Sequence, residues 1–222
     1  MRVHVINTLL FMLFLMYSCT KDETPEVYQI QSGTYTDERD GTTYKTVKIG
    51  EQWWMAENMA YKTESGSYAY NDNEDNVSIY GYLYTLDAAR IACPEGWHLP
   101  TDDEWMQLGE FIENDRDEKH IDGGSPYSFL AGKYLKSKTG WGGAGTDYYG
   151  FNGLPGGAYF RTTGYVGIEK NAIWWSGSVY SNPSDYQNLF YWVLGYGDSF
   201  LSRHNYLVIE KNDRYSVRCV KN

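Results

Sequence analysis

Cysteine is the residue type whose spacing constrains the chemistry of this chain most. There are three, Cys19, Cys93 and Cys219, and an odd count in an exported chain leaves one thiol to be explained. The N-terminus points to export. Arg2 is followed by an apolar run from Val5 to Tyr17 and then by Ser18 and Cys19, which together have the basic start, short apolar stretch and small residue of a secretory signal. A bilayer-spanning helix needs about 20 residues. The run is shorter than that, so it reads as a signal and not as a retained anchor.

The residues around Cys19 resemble the lipobox of bacterial lipoproteins, in which a diacylglyceryl thioether forms on the thiol before cleavage. Met16 stands where Leu, Val or Ile is usual. With Cys19 as the lipidation site, Cys93 and Cys219 remain as one candidate disulfide. The other reading is an ordinary signal cut nearby, which leaves Cys19 as a free thiol. Lys21-Asp22-Glu23 resembles the signal that sends Bacteroidetes lipoproteins to the outer face of the outer membrane. It also reads simply as a solvated linker.

Other chemistry is thinly represented. His98, His120 and His204 are isolated, with no pair at metal-ligand spacing. No nucleophile elbow, phosphate loop or zinc motif occurs. Asp102, Asp103 and Glu104 are explained by helix capping. Asn71-Asp72-Asn73-Glu74-Asp75-Asn76 offers oxygens at alternate positions, as hard cations want, but Asn76 and Tyr82 stand where an EF-hand needs Gly and Glu. No metal, cofactor or catalytic residue is expected. The candidate binding face is Trp174-Trp175-Ser176-Gly177-Ser178-Val179-Tyr180 with the loop from Asn182 to Gln187. Trp174, Trp175, Tyr180, Asn182 and Asp185 are the candidate ligand residues there. Adjacent strand residues point to opposite faces, so at most one of the two tryptophans reaches a ligand. The alternative places both in the core.

Composition narrows the partners. The net charge is −10 and Lys and Arg are scattered, whereas nucleic-acid binding needs a basic patch. The chain holds 22 Tyr and 8 Trp, residues that fill cores and line binding surfaces alike. Removing residues 1–18 leaves enough chain for one domain with a core of its own.

The elements follow from local signals. Residues 19–36 are polar and without a sustained period, and read as a tether. Asp40-Gly41 is a hairpin turn signal, Tyr44 to Ile49 alternates as a strand does, and Gln52-Trp53-Trp54-Met55 starts another. Thr85 caps a short helix carrying Leu86, Ala89 and Cys93. Thr101 to Glu104 forms a capping box, after which Trp105, Leu108, Phe111 and Ile112 recur at helical spacing. That helix frays into a solvated charge run from Glu113 to Lys119. Residues 129–138 are expected to form a third short helix. Beyond Trp141 the chain is Gly-rich and aromatic, with strand-like runs around residues 158–160, 172–176, 189–194 and 215–220. The expected class is α+β: two or three short helices early, antiparallel strands elsewhere, and long Gly- and aromatic-rich loops.

Several segments together resemble the Fibrobacter succinogenes major paralogous domain of surface lipoproteins. They are Asp40-Gly41 with Tyr44 to Gly50, Trp54-Met55-Ala56-Glu57-Asn58, Tyr80-Gly81-Tyr82-Leu83-Tyr84 and Asp87-Ala88-Ala89. They continue with the run from Cys93 to Trp105, Gly150 to Gly157, Trp175-Ser176-Gly177-Ser178 and Ser216-Val217-Arg218-Cys219. A more distant likeness, carried by Ala88 to Cys93 and Gly96-Trp97-His98-Leu99-Pro100-Thr101, is to the C-type-lectin fold shared with formylglycine-generating enzymes. The resemblance implies a C-type-lectin-like domain over 37–222, after the signal at 1–18 and the tether at 19–36. It also implies a bridge from Cys93 to Cys219, to which the alternative is two buried free thiols. His98 then reads as a structural histidine. The sugar-binding Glu-Pro-Asn or Gln-Pro-Asp motif of calcium-dependent lectins is missing, and Asn182-Pro183-Ser184-Asp185 is the nearest segment. The expected function is non-catalytic binding of a glycan or protein by an outer-membrane lipoprotein held through Cys19. The alternatives are an enzyme of the formylglycine-generating group or a structural protein of the cell envelope.

Overall fold

The computed structural model describes residues 28–118, 128–143, 145–181, 187–206 and 212–222. In chain order the strands and α-helices are β1 (Gln31–Thr36), β2 (Thr43–Ile49), β3 (Gln52–Met55), β4 (Ser67–Tyr68), α1 (Val77–Tyr80), β5 (Leu83–Tyr84), α2 (Leu86–Ala92), β6 (Trp97–His98) and α3 (Asp102–Asp115). They continue as β7 (Ser128–Phe129), α4 (Gly132–Leu135), β8 (Gly156–Phe160), β9 (Gly164–Ile168), β10 (Asn171–Ser181), β11 (Gln187–Gly195), β12 (Leu201–Tyr206), β13 (Tyr215–Ser216) and β14 (Val220–Lys221).

Two sheets result, so the class is α+β. The first is antiparallel in the order β1-β2-β3-β14-β6. The second runs β4-β5-β13-β10-β11-β12-β7, with β8 beside β10 and β9 beside β8. Its core hairpin is β10–β11, with Trp174 opposite Trp192 and Trp175 opposite Tyr191. No helix among the described residues is long and apolar enough to cross a membrane.

The longest helix, α3, sits between the sheets because one of its faces is apolar. Trp105, Leu108 and Ile112 are fully buried. The Trp105 ring lies 4.8 Å from Trp54 of the first sheet, and 5.7 and 6.1 Å from Trp174 and Trp192 of the second. The capping box is formed as expected: Glu104 N donates to Thr101 Oγ1 at 3.2 Å and Thr101 N to Glu104 Oε2 at 2.8 Å. Thr85 caps α2 in the same way, its hydroxyl accepting from Ala88 N. A second aromatic cluster gathers Tyr84, Ala88, Ala89, Trp175, Tyr215 and Cys219 against α2.

Three expectations are corrected. The tether reading ends too late, because residues 31–36 are a strand paired with β2 from Gln31↔Lys48 to Thr36↔Thr43. All but Tyr35 of that strand are exposed, so it carries no apolar period to betray it. Its order comes from backbone pairing. The charge run after Ile112 is not simply solvated either. Glu113 is buried and accepts from Leu130 N at 2.6 Å, Tyr149 donates to Asp115, and Glu118 accepts from Lys133 and Tyr134, both at 2.7 Å. The third helix is only Gly132–Leu135. It stops at Lys136, whose backbone is extended (φ −62°, ψ 134°) and whose fully buried ammonium donates to Gly195 O and Asp198 O at 2.6 and 2.5 Å.

Candidate ligand-binding site

Trp174 and Trp175 do point to opposite faces, but both faces are core. Each indole is 0% exposed. Trp174 donates to Asn58 Oδ1 at 2.8 Å and Trp175 to Tyr84 O at 2.7 Å. Neither can serve as a ligand platform, which corrects their candidacy. The two sheets leave no solvent side at this part of β10. The Tyr180 side chain, Asn182 and Asp185 lie outside the described residues.

Cys93 and Cys219 form a disulfide, with sulfurs 2.02 Å apart and Cα atoms 5.9 Å apart. It ties the end of α2 to the segment between β13 and β14. His98 is held as a structural histidine. Its Nδ1 lies 2.7 Å from Asn222 Oδ1, and its Nε2 is 2.9 Å from Glu104. That contact links β6 to the cap of α3. Among the described residues no group of three or more His, Cys, Asp and Glu is gathered to hold a metal ion.

The solvent-open aromatic surface lies on the first sheet instead. On β2, β3 and β14, Val47, Ile49, Trp54 and Val220 belong to the cluster around α3, while Tyr44 and Met55 belong to the second cluster. Trp53, next to Trp54, points the other way from it and is half-buried. The sheet curls until its edge strands meet: the Tyr35 ring of β1 stands edge-on to Trp97 of β6 at 5.5 Å, and Tyr35 Oη donates to Glu95 O at 3.2 Å. The curl leaves a groove of about 330 Å³ lined by residues of all five strands, with Tyr35, Trp53 and Trp97 as walls, Thr46 and Gly33 as floor, and Glu95 and Lys221 at the rim. Gly33 sits opposite Thr46, and a Cβ there would stand 3.2 Å from the Thr46 hydroxyl, so the glycine keeps the floor low.

Tyr35 and Glu95 also line an adjoining cleft of about 490 Å³ bounded by Asp37, Glu38, Arg39 and Pro94. Arg39 fixes that side. It pairs with Asp37 at 2.7 Å, donates to Ala92 O at 2.6 Å, and lies 3.7 Å over the Tyr61 ring. Burial pushes the Asp37 carboxyl up, but hydrogen bonds from the Arg39 side chain and backbone more than offset it and leave the group below its ordinary value. For Tyr35, burial and then the charges of Asp37 and Glu38 push the phenol up, so it stays a neutral donor. The groove therefore offers flat aromatic faces flanked by neutral and charged hydrogen-bonding groups, the surface that suits a ligand with one apolar face and polar edges.

Sequence reasoning missed this surface, although the adjacency of Trp53 and Trp54 carried the same opposite-face signal that was read at Trp174-Trp175. Burial decides between the two pairs. One pair lies on a central strand covered on both faces, and the other lies where the second face of the first sheet is only partly covered, so that Trp53 stays half-buried.

The fold and groove define a class: a disulfide-closed α+β domain with an aromatic groove on its smaller sheet. Residues 47–221 match the model of the Fibrobacter succinogenes major domain, and the chain belongs to that family. None of the curated proteins and none of the solved structures matches it.

Proposed function

We propose that this chain is a lipoprotein of the outer membrane, anchored through Cys19 and facing outward, whose domain binds a glycan without catalysis. The observation that carries the binding part is the groove walled by Tyr35, Trp53 and Trp97. Pyranose rings present an apolar face and polar edges, and half-buried Tyr35 and Trp53, backed by the buried Trp97 and flanked by Thr, Glu and Lys, suit both. Engagement of Cys93 and Cys219 in one bridge supports this reading over a thiol-based enzyme. The succession of α2, Cys93, β6, capped α3 and a final Cys219 supports a C-type-lectin-like arrangement.

The soluble form lacking the signal and Cys19, screened on a glycan array, is expected to bind a discrete set of glycans. Trp53→Ala should weaken that binding by roughly 30-fold, the effect of losing a central aromatic anchor worth about 2 kcal/mol, with only a small change in melting temperature. Binding to no glycan, or undiminished binding by Trp53→Ala, overturns the reading. The anchor has its own test. Mass spectrometry of the mature protein from membranes should find Cys19 N-terminal and acylated, and protease treatment of intact cells should remove the domain. A free Cys19 thiol refutes the lipoprotein assignment.

A further inference from the structure

A separate cleft, of about 240 Å³, has Tyr44, Glu57, Asn58, Ser78, Asn152 and Arg218 among its lining residues. Arg218 is 1% exposed. Its guanidinium has five N–H donors, and four are accounted for. Nε donates to Asn58 Oδ1 at 3.1 Å, Nη1 donates to Met55 O at 3.1 Å and to Phe151 O at 2.6 Å, and Nη2 donates once to Asn58 Oδ1 at 2.7 Å. One Nη2 hydrogen is left over. Among the described residues no carboxylate lies within ion-pair distance of it. Glu57 and Asp147 act on Arg218 only through space. Tyr44, 2% exposed, has the same deficit: its oxygen accepts from Ala60 N at 3.0 Å, while its O–H meets no acceptor among the described residues.

A cation removed from water and left without a counter-charge is costly, and so is a buried donor without an acceptor. Here both line one cleft that has room for a small molecule. Glu57 does not neutralise Arg218, since its carboxylate accepts from Lys45 N at 2.8 Å and lies 3.9 Å from Lys45 Nζ. It does place a negative charge at the rim, which discriminates against dianions. Two open donors, one of them cationic, match the two oxygens of a monoanion.

We infer that this cleft is a ligand site for a small organic carboxylate, with the acid group received by Arg218 Nη2 and the Tyr44 hydroxyl. The site is independent of the aromatic groove.

The test is a titration of ¹⁵N-labelled protein with sodium acetate against sodium chloride at constant ionic strength, following the Arg218 Nε–H signal. Acetamide serves as the neutral isostere. Acetate should shift the signal saturably and acetamide should not. Glu57→Gln, which keeps an oxygen for Lys45 N and removes the rim charge, should tighten acetate binding several-fold. Ser78→Phe, which fills the cleft from an exposed position outside the Arg218 network, should abolish the shift while leaving the amide spectrum elsewhere intact. The assignment is overturned by the absence of a saturable shift, by an equal response to acetamide, by weaker binding in Glu57→Gln, or by persistence of the shift in Ser78→Phe.

Discussion

Arg218→Ala is expected to cost the domain about 4 kcal/mol, a large share of the roughly 5–15 kcal/mol that holds a typical domain folded. The cost follows from what the guanidinium joins. It reaches Met55 at the end of β3, Asn58 just beyond it, and Phe151 in the turn before β8. It also lies 4.4 Å over the Phe151 ring and 5.7 Å from that of Trp174. Asn58 Oδ1 keeps the Trp174 indole as a donor at 2.8 Å when the arginine is removed. The carbonyls of Met55 and Phe151 lose theirs and are orphaned in the interior, at about 1–3 kcal/mol each, and the emptied volume adds a cavity cost. Relief of the buried charge returns part of this. Burial pulls the Arg218 pKa down to about 9, the mark of a desolvated cation that is still charged at neutral pH. Arg218→Lys keeps the charge but cannot span the fork, and should lose about half as much. Urea unfolding followed by tryptophan fluorescence reads both variants. A midpoint for Arg218→Ala indistinguishable from wild type would show that the hub does not hold these segments.

Reduction of the Cys93–Cys219 bridge is the second large effect. The cysteines are 126 residues apart, and closing a loop of that length removes about 5 kcal/mol of chain entropy from the unfolded state at most. Native disulfides of small exported domains return about 2–5 kcal/mol in practice. The bridge joins the end of α2 to the segment that carries Arg218, so its loss loosens the same last strands. Comparing wild type in the presence and absence of reductant with a Cys93→Ala/Cys219→Ala double variant should give equal destabilisation. Reductant that leaves the wild-type midpoint unchanged contradicts the prediction.

Elements specified by neighbouring residues were legible in the sequence. The caps at Thr85 and Thr101, the turn at Asp40-Gly41, strands β2 and β3 and the stripe on α3 all depend on groups within a few positions of each other, and all form as read. What failed depends on distant partners. Strand β1 is ordered by pairing with β2, not by its own pattern. The helix expected over 129–138 ends at Leu135, and Lys136, just beyond it, is buried against carbonyls about 60 residues away at Gly195 and Asp198. Arg218 sits in an ordinary strand-like run, and its acceptors lie 67 to 163 positions away. The two tryptophans of the candidate site were misplaced for the same reason. Whether a tryptophan pair faces water depends on what covers each sheet, and at Trp174-Trp175 that cover comes from α2, α3 and the first sheet.

The first described side chain has a mechanical consequence. Tyr28 donates to Lys48 O at 2.6 Å and stands edge-on to Phe111 and Tyr149 at 5.8 and 4.9 Å, three positions before β1 begins. Gly33, Thr34 and Tyr35, which help to form the groove, follow directly. Tyr28 acts as strain relief on a cable does: a pull on the upstream chain is taken up by the α3 side of the core before it reaches the strand that shapes the groove. A load applied from the N-terminal side is thereby kept off the groove.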